Sequence, residues 1–89
     1  MRTYKEIPIE ELLTIVKETI SFYLLSEIVE ARKEKDLKHL QDVCILIDEI
    51  LPKLDSKAGE IIHYINCEPD ESFDVFEDLM FQAIENLVI

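Results

Sequence analysis

Two histidines and two cysteines carry most of the chain's capacity for ligand or nucleophile chemistry, and their spacing limits it. Glu60-Ile-Ile-His63 is a Glu-x-x-His, and Asp36-Leu-Lys-His39 is a looser second copy. A two-metal carboxylate site takes two Glu-x-x-His pairs and two further glutamates, all directed into the middle of a helical bundle. Projection at about 100° per residue instead sends Glu60 and His63 outward, and the extra inward carboxylates are missing. His63 and Cys67 stand at i and i+4, the spacing of half a zinc site, but nothing supplies a third and fourth ligand. Nucleophilic catalysis lacks its parts too. No Ser or Cys lies in a strained, glycine-flanked turn, and the one glycine, Gly59, cannot build a phosphate-cradling loop. The expectation is a protein that is not an enzyme and uses no metal or cofactor.

What remains is a binding surface, and charge locates it. Residues 1–57 hold 12 acidic and nine basic side chains, whereas residues 58–89 hold eight acidic and none basic. A net charge of -11 therefore comes mostly from one segment. Such a field repels phosphates and anionic membranes and raises the encounter rate with a cationic partner. Nucleic-acid binding is disfavoured, because the nine basic residues are diluted by acids and form no track. Glu60, His63 and Tyr64 make an acid-and-aromatic patch, and Glu68, Asp70, Glu71, Asp74 and Asp78 an acidic ridge. Aromatics typically anchor interfaces while charges set the on-rate and register.

These residues must be carried by helices. Eighty-nine residues, 48% of them hydrophobic, suit one domain over 1–89, since a chain of this size buries about 60% of its unfolded surface. The expected fold is all-α, a compact bundle of four helices with the third one short. After a lead-in from Met1 to Ile7, Pro8 opens helix 1, where Ile9, Leu12, Leu13, Val16, Ile20, Tyr23 and Leu24 form one stripe at spacings of three and four. It runs to about Ala31. From Phe22 onward the stripe widens: Phe22, Leu25 and Val29 fall on the side that Glu11, Thr14 and Glu18 keep polar. Either the other helices cover them, or a dimer or partner contact does. A tight turn at 32–36 with Asp36 as N-cap, or else a continuous helix through this point, leads into helix 2, which carries Leu37, Leu40, Val43, Cys44, Ile47, Ile50, Leu51 and Leu54 at helical spacing. Cys44 is expected to be a small buried residue and Cys67 an exposed thiol near a helix end.

Pro52 should stop or kink helix 2 near Ile50 to Leu51. Asp55 or Ser56 then caps a short helix 3 to about Ile65, with Ala58, Ile61, Ile62 and Ile65 inward, Glu60, His63 and Cys67 outward and Tyr64 at the margin of that outer face. Asn66 to Glu68 form the connection. Helix 4 starts around Pro69 to Ser72 with carboxylates at its positive end, buries Phe73, Phe76, Met80, Ala83, Ile84 and Leu87, and presents Glu71, Asp74, Asp78, Gln82 and Glu85. The start, MRTYKEIPIEELL, has acids where a secretory leader has its apolar run, and no segment reaches the ~18 apolar residues of a membrane span. A cytoplasmic location is expected.

Ile61-Ile62-His63-Tyr64-Ile65-Asn66-Cys67-Glu68-Pro69-Asp70-Glu71-Ser72-Phe73-Asp74-Val75-Phe76-Glu77-Asp78 resembles the C-terminal half of small helical immunity proteins of bacterial polymorphic-toxin systems, of the contact-dependent inhibition and Maf kind. Separately, Gly59-Glu60-Ile61-Ile62-His63-Tyr64 is similar to the acidic residue, apolar pair and aromatic pair of nuclease-bacteriocin immunity proteins. His63 stands where that family has its first aromatic, and Ile65 where it has a proline. Either likeness spans about a third of the chain. By position, the second implies that Glu60, His63 and Tyr64 touch a toxin, and both imply a protein that neutralises one, a nuclease by preference. Asp55-Ser56 also resembles the carrier serine of acyl-carrier proteins, although Lys57-Ala58 follows where that family has Leu. Two alternatives therefore stand beside the immunity reading: a structural or adaptor bundle that self-associates through Phe22, Leu25 and Val29, and a carrier modified on Ser56.

Overall fold

The structure is a computed structural model and describes residues 3–88. The chain is all-helical. A 3-10 turn, Tyr4–Glu6, precedes α1 (Ile9–Lys33), α2 (Leu37–Ile50), a second 3-10 turn (Leu51–Lys53), α3 (Leu54–Asn66) and α4 (Phe73–Val88). The lead-in touches the start of α4 through an isolated bridge, Thr3 to Ser72, and a hydrogen bond from the Tyr4 N–H to the Glu71 carbonyl at 2.9 Å.

The first loop follows the expectation and adds a detail. Asp36 caps α2 by accepting the His39 N–H at 3.0 Å. With no glycine available, Lys35 takes the left-handed position at φ 56°. The Asp36 N–H then reaches back to the Ala31 carbonyl at 3.1 Å and the Lys35 N–H to the Arg32 carbonyl at 3.2 Å, satisfying the orphan acceptors of α1.

Pro52 bends the chain without breaking it. The 3-10 turn runs directly into α3, and Lys53, not Asp55 or Ser56, occupies the cap position, with no side-chain hydrogen bond. A helical path through residues 37–66 leaves no free helix start to be capped. The expected second and third helices are consequently two segments of one bent rod, and the four expected helices become three rods. Nor is the assembly compact. Its extents are 43 × 24 × 17 Å and its radius of gyration 14.3 Å, against about 12 Å for a compact chain of this length.

The core explains the shape. Leu12, Val16, Ile20 and Leu24 of α1 pack with Ile50, with Ala58, Ile61, Ile62 and Ile65 of α3, and with Phe76, Met80 and Ile84 of α4. Tyr4 closes this cluster. Its ring is fully buried and stacks on Phe76 at 5.3 Å, and its hydroxyl donates to the Ile65 carbonyl at 2.8 Å. Beyond Leu24 only Ala31 of α1 is buried, and before Ile50 only Val43 of α2. Phe22, Leu25 and Val29 are 71%, 58% and 59% exposed, so no other helix covers them. Cys44 is exposed as well, which corrects its assignment to the core.

Candidate functional site

Helix α3 places the first group of candidate residues. Its inward face holds Ala58, Ile61, Ile62 and Ile65, which leaves Glu60, His63 and Tyr64 exposed on the other side. Tyr64 is 57% exposed, so its ring is available to a partner. Glu60 lies 3.8 Å from Lys57 one turn earlier, an exposed pair of little energetic weight. The Cys67 thiol, exposed as expected, donates to the His63 carbonyl at 3.3 Å and so tightens the end of α3. Ser56 is exposed in the first turn of the same helix.

The turn after α3 places the second group. The Asp70 carboxylate accepts the Ser72 N–H at 2.9 Å, and the Ser72 hydroxyl accepts the Val75 N–H at 3.4 Å, which together launch α4. The Ser72 backbone N–H, and after it the Ser72 hydroxyl, hold the Asp70 carboxyl below the usual carboxylate range. Lys5 reaches over from the lead-in. Its ammonium donates to the Glu68 carbonyl at 3.4 Å and sits 3.6 Å from the Glu71 carboxylate. The Tyr4 hydroxyl is pushed above its ordinary range by burial first, then by the charges of Glu71, Glu68 and Asp70. Three of the five ridge residues therefore converge over the buried tyrosine, and one of them shares a lysine from the other end of the chain. Asp74 and Asp78 continue the acidic face along α4, both exposed. Among the described residues no lysine pairs with either one.

The eight candidates thus form two groups on neighbouring helices. Among the described residues, no hydrogen bond or ion pair joins the side chains of the α3 trio to those of the five acids of the turn and α4. Phe81 was not singled out by its spacing, yet it is 47% exposed on α4, flanked at helical distance by Glu77, Asp78 and Glu85. The available signal was its position outside the Phe76, Met80, Ile84 stripe. His39, the other histidine, points to a different element: its ring nitrogen lies 3.0 Å from the Glu27 carboxylate across the α1–α2 contact. Among the described residues no group of three or more His, Cys, Asp or Glu is placed to share a metal ion. None of the described helices is long and apolar enough to cross a membrane.

The arrangement offers an aromatic on each of two helices with carboxylates around them, which suits recognition of a basic surface. No protein-family model matches the chain, and no curated protein or solved structure matches it either.

Proposed function

We propose that this chain is an immunity protein of the antitoxin type, which binds one cognate bacterial toxin through an acidic surface and holds it inactive. A nuclease is the best-matched target, because a groove that binds phosphates is positively charged and carboxylates can stand in for them. The observation that carries the reading is the carboxylate face of α4, where Asp74 and Asp78 are exposed in a segment with no basic residue at all. In this reading the four α-helical segments, the third being the shortest, form the framework. Asp70, Asp74 and Asp78 steer the approach, with Glu68 and Glu71 beside them partly offset by Lys5. Glu60, His63 and Tyr64 make the short-helix contact.

The product of the reading frame immediately upstream is the first probe. Co-expressed with this chain, it should co-purify with it and lose its toxicity to the cell. An upstream product that is neither bound nor neutralised removes the reading. With the pair in hand, converting Asp74 and Asp78 to Lys should slow association at low salt and leave helicity nearly unchanged; an unaltered on-rate would show that steering lies elsewhere. Tyr64→Ala should raise the dissociation rate by a factor worth about 1–3 kcal/mol, and a rate equal to the parent's moves the anchor off α3.

A further inference from the structure

We propose that the outer apolar face of the α1–α2 hairpin docks a second copy of this chain, with the two α1 helices antiparallel about a twofold axis beside Leu25. The face is distinct from the acidic candidate surface and does not depend on the toxin reading. Phe22, Leu25 and Val29 of α1, Leu37 of α2 and Leu51 at the start of the second 3-10 turn are each between 49% and 71% exposed. A shallow groove lined by Ser21, Leu24, Leu25 and Ile28 of α1, by Ile47 of α2 and by Leu51 of the following 3-10 turn runs between the two helices. From residue 18 to residue 32 the face is about 20 Å long, and two helices make it about 20 Å wide. That footprint, about 400 Å² before side-chain relief, is about half of the ~800 Å² each partner contributes to a standard stable pair, and is of the size of patch that marks an interaction site.

Charge selects the occupant and its direction. Glu18 stands one turn before Phe22 and Arg32 one turn after Val29, both exposed, and neither is in an ion pair among the described residues. Each lies seven residues from Leu25, about 10 Å along the axis. Turning one copy over about Leu25 brings Glu18 of each chain to Arg32 of the other, and the same operation sets the small Ser21 against Val29 and Phe22 against Ile28. A parallel pair would instead oppose Glu18 to Glu18 and Arg32 to Arg32. The sequence of this face is self-complementary in one sense only, as a twofold contact requires. The net charge of -11 opposes association, but its excess lies in residues 58–89 on other helices and is screened beyond about 8 Å at physiological salt.

Sedimentation equilibrium of the full chain tests the proposal. The expected result is a mass that rises from one chain to two with concentration. Glu18→Lys or Arg32→Glu alone should weaken the dimer about tenfold, since each reversal turns two attractive pairs repulsive, and the double variant should restore it. A single-chain mass up to high micromolar concentration overturns the proposal, and so does a double variant no tighter than the singles. Because these side chains are exposed, circular dichroism should show unchanged helix in every variant. Independently, Leu25→Cys in a chain with Cys44 and Cys67 replaced by Ser should form a disulfide-linked dimer under mild oxidation, whereas Glu10→Cys in the same background should not. Equal cross-linking at both positions would place the axis elsewhere and overturn the stated geometry.

Discussion

The end of the molecule where α3 and α4 meet the first half of α1 differs from the end where α1 and α2 run on alone. Both ends are built from helices of comparable apolar content, yet one is a packed core and the other has only Ala31 and Val43 fully covered. The number of neighbours makes the difference. An amphipathic helix with one apolar stripe needs one partner, and a helix whose stripe widens needs two. Around Val16, Ile20 and Leu24, α1 has α3 and α4 as well as α2, and the lead-in adds Tyr4 on top. Around Phe22, Leu25 and Val29 no helix covers the outer face among the described residues.

Four substitutions break or sharpen that contrast. Tyr4→Ala should be the most damaging, at about 3–5 kcal/mol, because it removes a fully buried ring, its stack on Phe76 and its hydrogen bond to Ile65. Urea denaturation measures it, and a loss under 1 kcal/mol would mean the lead-in is not part of the core. At the other end, Val43→Ala removes two buried methyl groups and should cost about 1–2 kcal/mol. Hydrogen exchange of the native chain should already be faster in the first half of α2 than in α3. Equal protection at the two ends would erase the contrast.

Tyr4→Phe keeps the ring and removes the hydroxyl. It should cost about 1 kcal/mol at neutral pH, since the Ile65 carbonyl keeps the Glu68 N–H at 3.0 Å. The pH dependence follows from the direction of the shift. The folded Tyr4 hydroxyl titrates above 10.0, so its contribution is full below that value and disappears as pH rises through the higher folded one. Tyr4→Phe should therefore lose less stability than the parent above pH 10. Tyr23, raised by burial and by Glu27 and Glu85, leaves a residual slope in both proteins. The smallest effect is expected at Lys35→Gly, where relief of a left-handed backbone at φ 56° outweighs the looser unfolded chain. The gain should be about 0.5–1 kcal/mol by thermal denaturation, and a loss would mean that the Lys35 side chain makes a contact worth more than the strain.

Local features of the fold were legible and distant ones were not. The stripe of α4, the Asp36 cap and the outward Glu60 and His63 follow from helical spacing, which every residue reports about itself. Ile9, Leu37 and Leu51, assigned to the stripes of α1 and α2 on the same ground, are 58%, 67% and 49% exposed, and Tyr64, expected at the margin of its face, is 57% exposed. Tyr4 could not be read this way. Nothing near it in sequence announces that Phe76 and Ile65 form its seat. The same applies to Lys5 beside Glu71, which joins the ridge to the lead-in, and to Cys44, whose apolar neighbours gave no hint that its flank of α2 lacks a partner. The bend at Pro52 was expected, but a 3-10 turn absorbed it where a stop and a new cap were also compatible with the spacing.

The buried tyrosine also constrains the order in which the molecule can be completed. Its hydrogen bond to Ile65 spans 61 residues, whereas α1 and α2 meet across a turn of a few. Short loops close first, because closure entropy grows with the length of chain enclosed. On a ribosome the ring therefore emerges long before its seat has been synthesised, and the amino-terminal strap is fastened last, after α3 has formed. Until then the early hairpin is a partly finished object with a loose aromatic at one end.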